Sequence, residues 1–198
     1  MICLSIFLSI FFFFMLIFSA SHLRCIRLEG CHEISSKSFK EVVNKMPFLE
    51  ELDISHCVHI QVGFFDYIGQ TCPLLKSLKF TPCFEAEDKD DNAAFAIAKT
   101  MRELRHLSIL NNELSNDGLL AILDGYPLLE SLDVRGCLHL DMNESLKKRC
   151  SEQIKELIFP TEFMGQNSSF CDYMTNRSIQ YIYNLADINF CWIDEIPY

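Results

Sequence analysis

Residues 126–137 read YPLLESLDVRGC, and the same frame returns as LEELDISHC at 49–57 and as CPLLKSL at 72–78. An apolar residue is followed by two variable ones, a second apolar, one variable, a third apolar, two variable, and then Cys or Asn. Working outward, the frame is filled by Leu23, Ile26, Leu28 and Cys31, then by Leu49, Leu52, Ile54 and Cys57. It continues through Leu75, Leu78, Phe80 and Cys83, then Leu104, Leu107, Ile109 and Asn112, then Leu129, Leu132, Val134 and Cys137. Ile154, Leu157 and Phe159 open a further unit that lacks the Cys. The leading residues stand 26, 26, 29, 25 and 25 apart, which is the leucine-rich-repeat period.

Alternation of the second and third apolar positions puts both side chains on one face of a short strand. The chain then switches to helical spacing, as in Phe39, Val42, Val43 and Met46, or Leu119, Ile122, Leu123 and Tyr126. Ser35 and Ser115 stand where a hydroxyl caps orphan amides. Pro47, Pro73 and Pro127 end the helical segments two residues ahead of the next leading Leu. No such unit buries its apolar face alone, so neighbours must stack, with parallel strands joined by helical crossovers. The expected fold is an α/β leucine-rich-repeat solenoid of about six strand–helix units, its parallel strands on the concave face. The expected organisation is a hydrophobic segment at 1–20, repeats over 21–160 and a C-terminal cap or tail at 161–198.

Of the 198 residues, 49% are apolar and 22% charged, enough to bury a core. The formal net charge is −10 with no basic run, which speaks against a nucleic-acid or anionic-membrane surface. Residues 1–20 carry no charge and would span about 30 Å as a helix. Three readings stand for them: a membrane anchor leaving the repeats cytosolic because Arg24 and Arg27 follow, a signal peptide lacking its basic start, or a non-native start. Cys31, Cys57, Cys83 and Cys137 share one repeat position, which suits a row of reduced, buried thiols and hence the cytoplasm or nucleus. Three Asn-x-Ser sequons, at Asn143, Asn167 and Asn176, weigh little against this.

His56, Cys57 and His59 with Cys31 and His32 match no zinc spacing. EAEDKDD at 85–91 falls in the interval stretched to 29 residues and reads as a solvated loop. No phosphate loop, dinucleotide fingerprint, nucleophile elbow or catalytic set appears, so no catalytic, cofactor or metal site is expected.

Between the inward positions, odd strand residues face solvent. The middle column is Arg27, Asp53, Lys79, Ser108, Asp133, Ile158. Before it run Cys25, Glu51, Ser77, His106, Ser131, Glu156; after it, Glu29, Ser55, Thr81, Leu110, Arg135. The candidate partner-binding residues are Arg27, Glu51, Asp53, Lys79, His106, Ser108, Asp133 and Arg135, a mixed-sign surface suited to a protein or peptide target. Six strands about 4.8 Å apart give a face roughly 24 Å long. Its area, roughly 200 Å², falls short of the ~800 Å² each partner normally contributes, so a short extended segment fits better than a folded body.

The three quoted stretches resemble the cysteine-containing repeats of plant F-box/leucine-rich-repeat proteins, over about residues 23–160. The resemblance implies a ribonuclease-inhibitor-type horseshoe. It also implies the target-holding role in SCF ubiquitin ligases, in which an N-terminal F-box binds the Skp adaptor. An F-box is a helical segment with a Leu-Pro start, and residues 1–22 do not supply one. Adaptor binding is therefore expected only of a longer form. The alternative is a membrane-tethered repeat protein without a ligase link.

Overall fold

The computed structural model describes residues 3–6, 22–31, 35–57, 63–82 and 91–160. Strands β1 (Cys3–Ile6), β2 (Cys25–Glu29), β3 (Glu51–Ser55), β4 (Ser77–Thr81), β5 (His106–Ile109), β6 (Ser131–Asp133) and β7 (Glu156–Ile158) lie side by side in chain order, all neighbours parallel. From β2 to β6 a helix follows each strand: α1 (Ser36–Val43), α2 (Gly63–Thr71), α3 (Asn92–Thr100), α4 (Asn116–Gly125) and α5 (Glu144–Gln153). This is the leucine-rich-repeat architecture. One strand comes from outside the repeats: Cys3–Ile6, within the apolar stretch set apart above, pairs its backbone with β2 from Cys3↔Cys25 to Ile6↔Leu28. The rest of that stretch, residues 1–2 and 7–20, and residues 161–198 lie outside the described residues.

The register follows the repeat frame residue for residue. Ile26, Leu52, Leu78, Leu107, Leu132 and Leu157 form one cross-strand row, and Leu28, Ile54, Phe80 and Ile109 the next. Apart from Leu157, which is partly buried, these side chains are buried against the helices together with the leading Leu residues. Phe39, Phe64, Phe65 and Phe80 run through the early repeats with ring centroids 5.1, 5.6 and 4.8 Å apart, spacings at which tilted and edge-on rings attract.

Four of the returns to strand use one turn; at the fifth, into β7, Ile154 instead donates to the Cys150 carbonyl. The leading residues Leu49, Leu75, Leu104 and Leu129 donate their N–H to the carbonyl three residues back, on Met46, Cys72, Met101 and Tyr126, each at 3.2 Å. Pro47, Pro73 and Pro127 take the second position of three of these turns, where their fixed φ is already correct. Helix starts follow the expected chemistry: Ser35 accepts from the Ser38 amide at 3.2 Å and Ser115 from that of Asp117 at 3.1 Å. Asn143, noted above only as a sequon, caps α5 by accepting from the Leu146 amide at 3.0 Å.

Just past the strands the backbone turns left-handed at one repeat position: Gly30, His56, Asn111 and Gly136 have φ of 62°, 56°, 50° and 77°. Gly30, His56 and Asn111 donate their amides across to the carbonyls of Ser55, Thr81 and Arg135. Pro82 holds this position in the third repeat and can neither adopt a positive φ nor donate an N–H. That repeat is also the one with extra residues, between β4 and α3, and 83–90 lie outside the described residues.

Candidate functional site

The outward columns assemble as the two-residue period requires. Glu51, Ser77, His106, Ser131 and Glu156 are cross-strand neighbours in one row. Arg27, Asp53, Lys79, Ser108, Asp133 and Ile158 form the row beside it. Arg27, His106 and Arg135 are exposed; Glu51, Asp53, Lys79 and Ser108 are half-buried. Seven of the eight candidate residues thus reach solvent; Asp133 is the exception.

Their charges are not equally available. Asp53 accepts from Lys79 Nζ at 2.9 Å and from Ser55 Oγ at 2.8 Å, so it is occupied by its own neighbours. Asp133 stands in an outward column yet is only 7% exposed. Arg135, two residues on, folds over it with Nη2 and Nε at 2.7–3.1 Å, and the Arg135 amide adds a bond at 3.2 Å. This bidentate geometry is the strong form of an ion pair, and hydrogen bonding to Asp133 raises the Arg135 pKa further. Asp133 is therefore the anchor that holds Arg135 outward, rather than a contact in its own right. Cys25, Ser55 and Thr81, also in outward columns, are buried.

A second charged row lies one residue ahead of each strand and was not among the candidates. Glu50 is bridged by Arg24 Nη1 at 2.5 Å and Lys76 Nζ at 2.8 Å. Glu130 is bridged in the same way by Arg105 Nη1 at 3.0 Å and Lys155 Nζ at 3.1 Å. Each carboxylate ties three consecutive repeats together. The hydrogen bond from Lys76 holds the Glu50 carboxyl below its ordinary range, and those from Lys155 and Arg105 do the same for Glu130. The signal was present in the sequence: the residue after each leading apolar position alternates Arg24, Glu50, Lys76 and then Arg105, Glu130, Lys155.

The cysteine row carries structure rather than reactivity. Cys57 Sγ donates to the carbonyls of Ser55 and, one repeat back, Leu28; Cys137 Sγ donates one repeat back to Ile109 at 3.2 Å. Burial pushes the Cys137 thiol up to about 11 and that of Cys72 up to about 12, far from the range of a nucleophilic thiolate. Cys83, His32 and His59 lie outside the described residues. Among the described residues no three His, Cys, Asp or Glu side chains are grouped to hold a metal ion, and no helix is long and apolar enough to cross a membrane. Of the acidic stretch at 85–91 only Asp91 is described. It bonds the next repeat's cap, accepting from the Ser115 amide at 2.8 Å and from the Ser115 hydroxyl.

No family model matches the chain. Curated proteins do. F-box protein SKIP19 of Arabidopsis thaliana is 42% identical over 143 residues, 72% of this chain and 46% of that protein. Two further Arabidopsis thaliana proteins, provisionally named F-box/LRR-repeat proteins 23 and 22, are 44% identical over 147 residues and 39% identical over 161. These matches cover 72% and 81% of this chain but 32% and 52% of the two relatives. The chain spans a third to about half the length of the curated relatives it matches.

Proposed function

We propose, from the premise that this chain is a relative of the plant F-box/LRR-repeat proteins, that it is a non-catalytic protein-recognition module. Its strand face holds an extended segment of a target protein, as the receptor half of an SCF-type ubiquitin ligase would. The observation that supports this most is that exposed His106 and half-buried Ser77, Ser108 and Ser131 stand on the outward face between two internally satisfied ion pairs, Lys79–Asp53 and Arg135–Asp133. Such pairs are preorganised, so a ligand meets donors that need little further ordering. Residues 22–160, as far as they are described, are used up in strand–helix units. Adaptor binding is then expected only of a longer form that carries an F-box. We place the protein in the cytoplasm or nucleus, where thiols such as Cys57 and Cys137 stay reduced.

The test is an interaction screen with the wild-type chain and with Asp53→Lys/Lys79→Glu, which reverses both charges and leaves the pair free to re-form. After equal melting is verified, partners that engage the face should be recovered by wild type and lost by the variant. Equal recovery of every partner would contradict the reading. A purified Skp adaptor is added as a separate arm, and the 198-residue chain is expected not to bind it.

A further inference from the structure

The charges around the strand face are banded, and one seam carries an excess. In the row ahead of the strands, four cations share two carboxylates: Arg24 and Lys76 on Glu50, Arg105 and Lys155 on Glu130. Each triad is left one positive charge over. The two triads meet between β4 and β5, where Lys76 and Arg105 are neighbours; the Arg105 amide bonds the Lys76 carbonyl at 2.8 Å. Among the described residues no carboxylate bridges them. Their side chains are 49% and 40% exposed, and each makes a single ion pair with a described residue. An ammonium has three donors and a guanidinium five, so most of their hydrogen-bonding capacity is unused.

Three further groups lie beside this seam on the same two strands. Ser77 and His106 are cross-strand partners one residue along, and Ser108 follows opposite Lys79. His106 is exposed and the serines half-buried. Among the described residues, Glu103, in the turn ahead of Arg105, is exposed and pairs with neither cation. On either side the sign reverses, with Glu50, Glu51 and Asp53 on or just ahead of β3, and Glu130 just ahead of β6.

We infer that the seam between β4 and β5 takes an acidic side chain of the bound protein segment, held by Lys76 and Arg105 with Ser77 and His106 beside them. The inference rests on the reading that this face binds a protein segment, and it names the chemistry of that segment. A carboxylate there completes the alternation that the two triads leave open, and charge-assisted bonds to two cations favour it over a neutral or basic side chain.

The test is selection of phage-displayed random dodecapeptides on the immobilised full chain. The wild type is compared with Lys76→Gln/Arg105→Gln and with Ser108→Trp, whose bulk covers the middle of the face. Melting is checked first, since both ladder cations are exposed and their loss should leave the fold intact. Peptides recovered on wild type should carry Asp or Glu at one position, enriched about tenfold over the input library. That preference should vanish on the double-Gln variant, and the peptides themselves should be lost on Ser108→Trp. If peptides are lost on Ser108→Trp but show no acidic preference, or keep one on the double-Gln variant, the seam is not the anchor and only this inference fails. If the peptides ignore Ser108→Trp, or none is recovered, the strand face is not the binding surface and both readings fail.

Discussion

Leu107→Ala removes three carbons from the centre of the repeat array. Leu107 lies on β5 between Leu78 and Leu132 in the cross-strand row and is 1% exposed, so no water fills the space it leaves. Its neighbours cannot close the gap easily, because the backbones on both sides are fixed by β4 and β6 and the row beneath is already packed. Buried Leu→Ala changes of this kind cost about 3–5 kcal/mol from transfer and cavity together. In a solenoid each repeat is stabilised mainly by its two neighbours, so a central loss weakens two interfaces at once. For a domain of this size that corresponds to a fall in Tm of roughly 6–20 °C. The assay is thermal and urea unfolding followed by circular dichroism, with Leu157→Ala as comparison. Leu157 is the equivalent residue of β7 and only partly buried, so its loss should cost clearly less. Equal, small effects at both positions would mean that the strand register is wrong.

Three other outcomes follow from local chemistry. Glu50 and Glu130 titrate lower in the folded than in the unfolded chain. Their stabilisation is therefore fully present above the ordinary carboxylate pKa of about 4.3 and is lost as pH falls through the depressed folded values. Wild type should lose stability in acid more steeply than Glu50→Gln/Glu130→Gln, and the two melting curves should converge at low pH. Gly136→Ala should destabilise by about 1–3 kcal/mol in urea unfolding, because its φ is +77° and a Cβ would come 2.1 Å from Asn111 Oδ1. Gly63→Ala, with nothing within 4 Å, should not destabilise. Cys137, its thiol pushed up to about 11 by burial, should resist iodoacetamide at pH 8 in the native protein and react in urea.

The rows of the sheet could be read directly because two constraints coincide: a period of two along each strand and a recurring apolar frame that marks where each strand begins, whatever the length of the loop between. Together these place Asp53 beside Lys79 and Leu78 beside Leu107 with no freedom left. Exposure within a row could not be read this way, since it depends on how long side chains fold. Asp133 is covered because Arg135 reaches back two residues, and nothing in the repeat frame dictates that rotamer. The Arg24–Glu50–Lys76 and Arg105–Glu130–Lys155 triads were visible as alternating signs. They went unread because the residue after each leading Leu looks variable when repeats are aligned by their apolar positions. The dual use of small polar residues was equally silent: Asn143 matches a sequon but serves as a helix cap. Cys3–Ile6 matches the repeat frame only through Leu4 and Ile6, opposite Ile26 and Leu28, and such a pair does not stand out within a uniformly apolar stretch.

The most direct measurement of partner recognition by the strand face is site-specific photocrosslinking of a recovered target. A benzophenone side chain is placed at Ile158, 45% exposed at the β7 end of the outward row, or at Lys148 on α5, whose side chain is 77% exposed. If the face is the binding surface, the target crosslinks from position 158 and not from 148. Crosslinking from 148 alone would contradict recognition through the strands and assign it to the helices.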